Sequence, residues 1–428
     1  MSDLTTDNIK QSLQSRLGSR KYIDKTFWVL FMILICSSIV CYFSAASQDI
    51  SIAIRQGESY YGIIFKHIGF FALGIAVAYI IQFLPSWVIR AAGYVCFAIS
   101  VCCLVLTFVP GFKVGVGGVY RWVKIPGLPV FQPSEAAKPF LVIVVSDLLS
   151  RIRTEQDRKR YFWITLALTG IVCLLILPNN LSTTLLIGIV MLCLMVLARI
   201  PMKWIGSIVG IALLVLGIGY AVVYNVYVKP GKEMTGPMKR AVVWVERFDN
   251  KFKSDNPTDE LIITKENYQA VMADVAVARG GKSIFGVGPG NSIQRYRLPE
   301  ADKDYIFAII VEEWGIFGAV FLILIYLAIL FRACYTSSAY TDYSAMLMVM
   351  GLALMLTIQA FISMEVAVGL GPVTGQNLPL MSSGGTSTVF TCIYFGIMMA
   401  VSREQKQLKA QEQIATEESW KNVPIIEE

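Results

Sequence analysis

The sequence predicts an all-α polytopic membrane protein: a bundle of about ten transmembrane helices with one large extracytoplasmic loop between the seventh and the eighth. Three observations carry this expectation. Of 428 residues, 55% are hydrophobic and only 16% are charged, against the ~25% charged residues of an ordinary soluble domain. Apolar runs near or above the ~18 to 20 residues that cross a hydrocarbon core recur along the chain. Basic residues gather in alternate connections between those runs, as membrane orientation requires. Helices follow from the solvent, because a helix satisfies its own backbone hydrogen bonds in lipid.

In order, the predicted helices are Phe27 to Ala46, Ile64 to Phe83, Val88 to Val109, Ser134 to Leu149, and Tyr161 to Leu177. Leu181 to Ala198, Trp204 to Val226, Tyr305 to Phe331, Ser344 to Val368 and Thr386 to Val401 complete the set. The first has no small-residue cleavage site behind it and reads as an uncleaved anchor, not a signal peptide. Arg16, Arg20, Lys21 and Lys25 precede the first helix, and Arg151, Arg153, Arg158, Lys159 and Arg160 follow the fourth. Arg199 and Lys203 follow the sixth, and Arg403, Lys406 and Lys409 the tenth. All these clusters fall on one side, which is therefore the cytoplasmic one. Residues 1–26 and 403–428 are then cytoplasmic tails around a membrane domain of residues 27–402. The charged C-terminal tail, from Arg403 on, is expected to be mobile.

Three loops face outward: Pro110 to Pro133, the long stretch Tyr227 to Asp304, and Gly369 to Gly385. Function is to be sought there. The long loop balances acidic and basic residues and reads as a folded or amphipathic cap. A net charge of +7 does not imply nucleic acid, because the basic residues flank apolar segments. All nine cysteines lie in or beside apolar runs and read as small core residues, not disulfides. The one histidine, His67, excludes a histidine metal cluster and is expected at the membrane interface.

Ionisable residues inside apolar helices are costly, about 2.5 to 3.5 kcal/mol at mid-bilayer, and need a reason. Glu135 and Lys138, three apart, share a helix face. They form either a structural ion pair, or a cation facing an anionic group such as a lipid pyrophosphate with the carboxylate orienting it. Adjacent helical positions point about 100° apart, so only one of Glu312 and Glu313 is expected to face a given cavity. Glu365 reads as either interfacial or buried, and Asp147 as an i,i+4 partner of Arg151. The run Gly280, Gly281, Lys282, Ser283, Gly286, Gly288 and Gly290 fails as a phosphate loop, since Ala276 stands where a glycine is required. It reads as a turn whose glycines allow close approach to a neighbouring helix or a sugar.

Four stretches together resemble the shape, elongation, division and sporulation (SEDS) family, represented by FtsW and RodA. They are Tyr120-Arg121-Trp122; Phe131-Gln132-Pro133-Ser134-Glu135 with Lys138; Gly286-Val287-Gly288 leading to Leu298-Pro299-Glu300 and Asp304-Tyr305-Ile306-Phe307-Ala308; and Leu378-Pro379-Leu380 with Ser382 and Gly384-Gly385. Length and the polar N-terminus are closer to the FtsW branch. The resemblance implies a peptidoglycan glycosyltransferase that polymerises lipid II and works with a class B penicillin-binding protein and other division proteins in the cell inner membrane. It implies a catalytic Asp304, with Arg121, Trp122, Glu135, Lys138, Glu300 and Ser382 binding substrate. Asn180 and Thr374 replace an aspartate and a lysine common in the family, so their roles cannot be carried over.

Glycosyl transfer from a lipid pyrophosphate needs a base for the acceptor hydroxyl and positive charge for the leaving group. Attack opposite the pyrophosphate implies inversion. Asp304 reads as that base, as the ligand of a divalent cation (Mg or Mn), or as a plain helix N-cap. A lipid II transporter and a division scaffold are the competing classes.

Overall fold

The computed structural model describes residues 22–57, 59–116, 119–127, 129–229, 242–245, 268–299, 301–371 and 375–421. Among these, twelve α-helices carry the chain. They are α1 (Lys25–Ala45), α2 (Ser47–Arg55), α3 (Tyr61–Ile81), α4 (Ser86–Leu106), α5 (Pro133–Ser150), α6 (Glu155–Ile176) and α7 (Leu181–Leu197). Then follow α8 (Met202–Val223), α9 (Tyr268–Gly280), α10 (Ile306–Ser337), α11 (Tyr343–Ala367) and α12 (Thr386–Lys421). All but α2 and α9 coincide with the ten predicted helices. Seven of them are long and apolar enough by themselves to cross a membrane, and the chain is a multi-pass membrane protein.

Caps set several boundaries. Asp24 accepts from Thr26 N at the start of α1, Asn180 from Thr183 N at α7, and Asp342 from Ser344 N at α11. Helix α6 begins six residues before its predicted start, because Thr154 and Asp157 form a capping box around a charged first turn. In α11, 72% of the apolar stretch is buried, against 6% in α8. The bundle is therefore built around α11, and α8 stands at its periphery facing lipid.

Four expectations need correction. The outer loop Pro110 to Pro133 contains a short antiparallel hairpin, β1 (Lys113–Val116) with β2 (Val119–Val123), where β-branched and aromatic residues favour a pleated strand. His67 does not face outward from the bundle as an interfacial side chain would: it is buried, stacked on Tyr42 at 3.7 Å and edge-on to Phe71. Its second-turn position on α3 faces α1, and no catalytic triad can rest on it, since its Nε2 has no hydrogen-bond partner. The segment from Arg403 is not a loose tail but continues α12 to Lys421. Glu404 caps α4 through Ser86, and Lys406 and Ser402 reach Asp24 at 3.0 and 2.8 Å. Finally, α10 is not one continuous helix, because Gly315 breaks it with φ 62° and ψ −153°.

Other local readings hold. Asp147 pairs with Arg151 at 2.6 Å and also accepts from Tyr94. Glu365 is exposed near the end of α11. All nine cysteines are free, but the core reading fails for Cys36, Cys102 and Cys334, which are exposed, and only Cys41, Cys103 and Cys392 are buried.

Candidate active site

The outer end of the bundle is organised by the loop 375–385, which touches many elements. Gln376 donates to Thr183 Oγ1 at 2.7 Å and to Asn180 Oδ1 at 3.3 Å. Gln359 Nε2 donates to Asn377 O, Tyr326 OH to Pro379 O, and Ser38 Oγ to Met381 O. Ser382 Oγ accepts from Leu378 N and donates to Lys303 O, while Ser383 N donates to Asp302 O at 2.7 Å. This loop is thus stitched to α1, α7, α10, α11 and the turn that carries Asp304. Ser382 serves here as the stitch.

Asp304 is half-buried at the end of that turn. It is not the helix cap: Tyr305 holds that position, with no side-chain cap bond. Its Oδ2 and Arg121 Nη1 lie 3.4 and 3.0 Å from where a Cβ on Gly375 would stand, so glycine (φ 63°) is what lets carboxylate and guanidinium converge there. Arg121 reaches in from β2, and its Nε donates to Asn179 O at 3.0 Å. It also lines a small cleft in which Tyr120, Gln132, Ser134, Asn179 and Asn180 meet the apolar Leu104, Leu175 and Ile176. Strand alternation turns the next residue, Trp122, to the opposite face, where it is exposed.

Glu135 and Lys138 sit deeper. Proline at the start of α5 fixes the helix where its missing N–H costs nothing. One turn on, Lys138 is fully buried and its Nζ donates to Glu135 Oε1 at 2.8 Å and Gln359 Oε1 at 2.7 Å. Among the described residues, the ammonium connects to the 375–385 loop through the Gln359 amide. Glu300 lies outside the described residues, as do Thr374 and residues 230–241 and 246–267 of the long loop.

Glu312 and Glu313 are both buried; as adjacent helical positions they point to different neighbours, Glu312 to Arg279 and Glu313 to Ser44, and the turn at Ser292 reaches both. The glycine run explains how. In an unbroken helix, Ile316 and Phe317 N–H would donate to the carbonyls of Glu312 and Glu313. Here those carbonyls accept from Val287 and Gly288, and the freed N–H groups donate to Ser283 and Ile284. A Cβ on Gly286 would lie 2.5 Å from Gly315 N, and one on Gly280 would lie 1.9 Å from Val311 O. The close approach expected of these glycines is to α10.

Gln359, Gln376, Gly375 and Ser292 carry the site's connections, and none stood out in the sequence. Uncharged amides, small residues and glycines have no local spacing that marks them. Among the described residues no group of three His, Cys, Asp or Glu is placed to hold a metal ion. A Mg²⁺ or Mn²⁺ would rest on Asp304 with substrate phosphate oxygens and water, which is a usual arrangement for Mg²⁺.

A family model described as "Cell cycle protein", for FtsW, RodA and SpoVE, matches residues 24–407. The probable peptidoglycan glycosyltransferase FtsW of Saccharophagus degradans is 30% identical, over 95% of this chain and 98% of its own length. That of Alcanivorax borkumensis is 27% identical, over 91% and 95%. Among solved structures, a chain of a peptidoglycan synthase complex superposes with TM-score 0.68 at 24% identity, covering 90% of this chain and 99% of that one. The rod shape determining protein RodA of Thermus thermophilus gives 0.60 at 21%, covering 90% and 97%. The four stretches singled out in the sequence, the ten-helix bundle and these likenesses agree: the chain belongs to the FtsW/RodA/SpoVE family of cell cycle proteins.

Proposed function

We infer that this protein is a peptidoglycan glycosyltransferase that polymerises lipid II at the outer face of the inner membrane during cell division. The observation that carries the reading is the convergence of Asp304 and Arg121 at Gly375, on the end of the bundle opposite the basic clusters. The Asp304 carboxylate takes the proton of the acceptor sugar hydroxyl as that oxygen bonds to the anomeric carbon of the donor. The bond from that carbon to the pyrophosphate oxygen breaks on the far side, so configuration inverts. Arg121 offers the departing pyrophosphate a planar pair of donors. Glu135 and Lys138 hold the floor of the site through Gln359. A class B penicillin-binding protein crosslinks the product. Residues 1–26 and 403–428 lie on the cytoplasmic side.

Charge placement disfavours a lipid II transporter. Helix α11 carries no formally charged residue between Asp342 and Glu365, and the buried Glu135–Lys138 pair meets it only toward its outer end, at Gln359. The test is polymerisation of fluorescent lipid II by purified protein. Wild type is expected to give long glycan strands, and Asp304→Asn to insert and melt normally, bind lipid II and make almost none. Polymer from Asp304→Asn at near the wild-type rate would remove Asp304 from the mechanism. No polymer from wild type, with its transpeptidase partner present, would overturn the enzymatic reading.

A further inference from the structure

Glu312 lies two turns down α10 from Asp304, too far along the helix to join the same chemistry. Its carboxylate is nevertheless fully buried and fully used. Arg279 Nη1, at the end of α9, donates to Oε1 at 2.8 Å, and Ser292 Oγ donates to Oε2. The backbone N–H groups of Ile293 and Gln294 add donors at 3.3 and 3.4 Å. Such a ring of donors is an anion cradle that the chain fills with its own side chain. A carboxylate buried this way stays in place only because the donors answer it, and it holds them in turn.

What it holds is the return of the long outer loop. The chain leaves Gln294, makes a short 3-10 turn, buries Leu298, and within ten residues arrives at Asp304. At its far end Asp302 O and Lys303 O are fastened to Ser383 and Ser382. At its near end the fastening is Glu312, backed by the insertion of residues 283–288 into the break of α10. Glu313 adds a second tie, from Ser292 N to Ser44 Oγ on α1. The segment that presents Asp304 is therefore spanned between two anchors, one in the 375–385 loop and one at Glu312.

We propose that Glu312 is a positioning residue for Asp304: its carboxylate fixes residues 292–294 against α10 and thereby sets where the Asp304 turn sits. This rests on the glycosyltransferase reading for its effect on turnover, but not for its effect on geometry. Loss of the anchor leaves Asp304 chemically intact and poorly placed. Displacement of a reacting group by about 1 Å costs on the order of a hundredfold in rate. Substrate binding, made elsewhere, changes little.

Two readouts test it. Spin labels at Tyr296→Cys and Leu370→Cys, both exposed positions, in protein stripped of native cysteines, report the distance between the segment and the end of α11. Glu312→Gln is expected to broaden that distribution and cut turnover at saturating lipid II about a hundredfold, with half-saturation within about twofold. Glu312→Asp, which keeps the carboxylate, should recover part of both. Ser292→Ala, a milder loss of one donor, should shift both readouts in the same direction should Glu312→Gln not fold. A wild-type distribution in Glu312→Gln, or broadening with unchanged turnover in an active preparation, overturns the proposal. If wild type makes no polymer, the function fails while the distance distribution still decides the positioning.

Discussion

Lys138 offers the sharpest quantitative test, because the structure fixes both its burial and its partners. Lys138→Met keeps the bulk of the side chain and removes the ammonium. It leaves Glu135, whose side chain is 12% exposed, without its cation, and Gln359 Oε1 without its donor. Removing one partner of a buried pair costs about 3–5 kcal/mol. With so little water at Glu135, about 4 kcal/mol is expected for Lys138→Met. Glu135→Gln should cost about 3 kcal/mol, since the new amide oxygen still accepts from the ammonium. The double variant removes both charges, so it should cost about 4 kcal/mol where strict additivity would give about 7, a coupling near 3 kcal/mol. Unfolding of the purified protein by titration with SDS, followed by tryptophan fluorescence, measures all three. Additive losses would refute the pairing. The exchange Glu135→Lys/Lys138→Glu asks more. It preserves a pair, but a carboxylate at position 138 needs the Gln359 amide N–H and would turn it away from Asn377 O. The exchanged protein should therefore fold yet lose polymerisation. Wild-type polymer from it would show that pairing alone suffices.

Gly315→Ala should lower stability by more than about 2 kcal/mol, because φ 62° with ψ −153° is glycine territory and the new Cβ would lie 2.3 Å from Gly286 N. Wild-type melting would refute the inserted loop. At Asp24, burial pushes the carboxyl up, while hydrogen bonds from Arg332, Lys406 and Ser402 pull it further down, leaving it below its ordinary range. A depressed folded pKa means stability that is present above the unfolded value of about 4 and is lost as pH falls through the folded one. The melting-temperature gap between wild type and Asp24→Asn should be full at neutral pH and shrink below about pH 4, and a gap independent of pH would refute the linkage. In intact cells, an impermeant thiol reagent should label Ser254→Cys and spare Gln411→Cys in cysteine-free protein. The opposite pattern would invert the proposed orientation.

The sequence determined what depends on near neighbours and on solvent. Ten apolar segments became ten helices because a membrane rewards long hydrophobic runs whatever surrounds them. Glu135–Lys138 and Asp147–Arg151 were legible because three and four residues bring side chains together on any helix. The start of α6 and the long C-terminal part of α12 escaped, since polar helical turns outside the hydrocarbon carry no hydropathy signal. That the turn at Ser292 reaches both Glu312 and Glu313 was not legible, because it depends on Gly315 breaking the helix just beyond them and on Gly286 filling the gap. His67 was placed by its flanking lysine, while its burial depends on Tyr42 of another helix. The meeting of Arg121, Asp304 and Gly375, and the relay from Lys138 through Gln359 to Asn377, join residues far apart in the chain. No periodicity records which loop will lie against which helix. That pairing is chosen by the packed bundle as a whole, where each buried donor must find an acceptor that only the finished fold supplies.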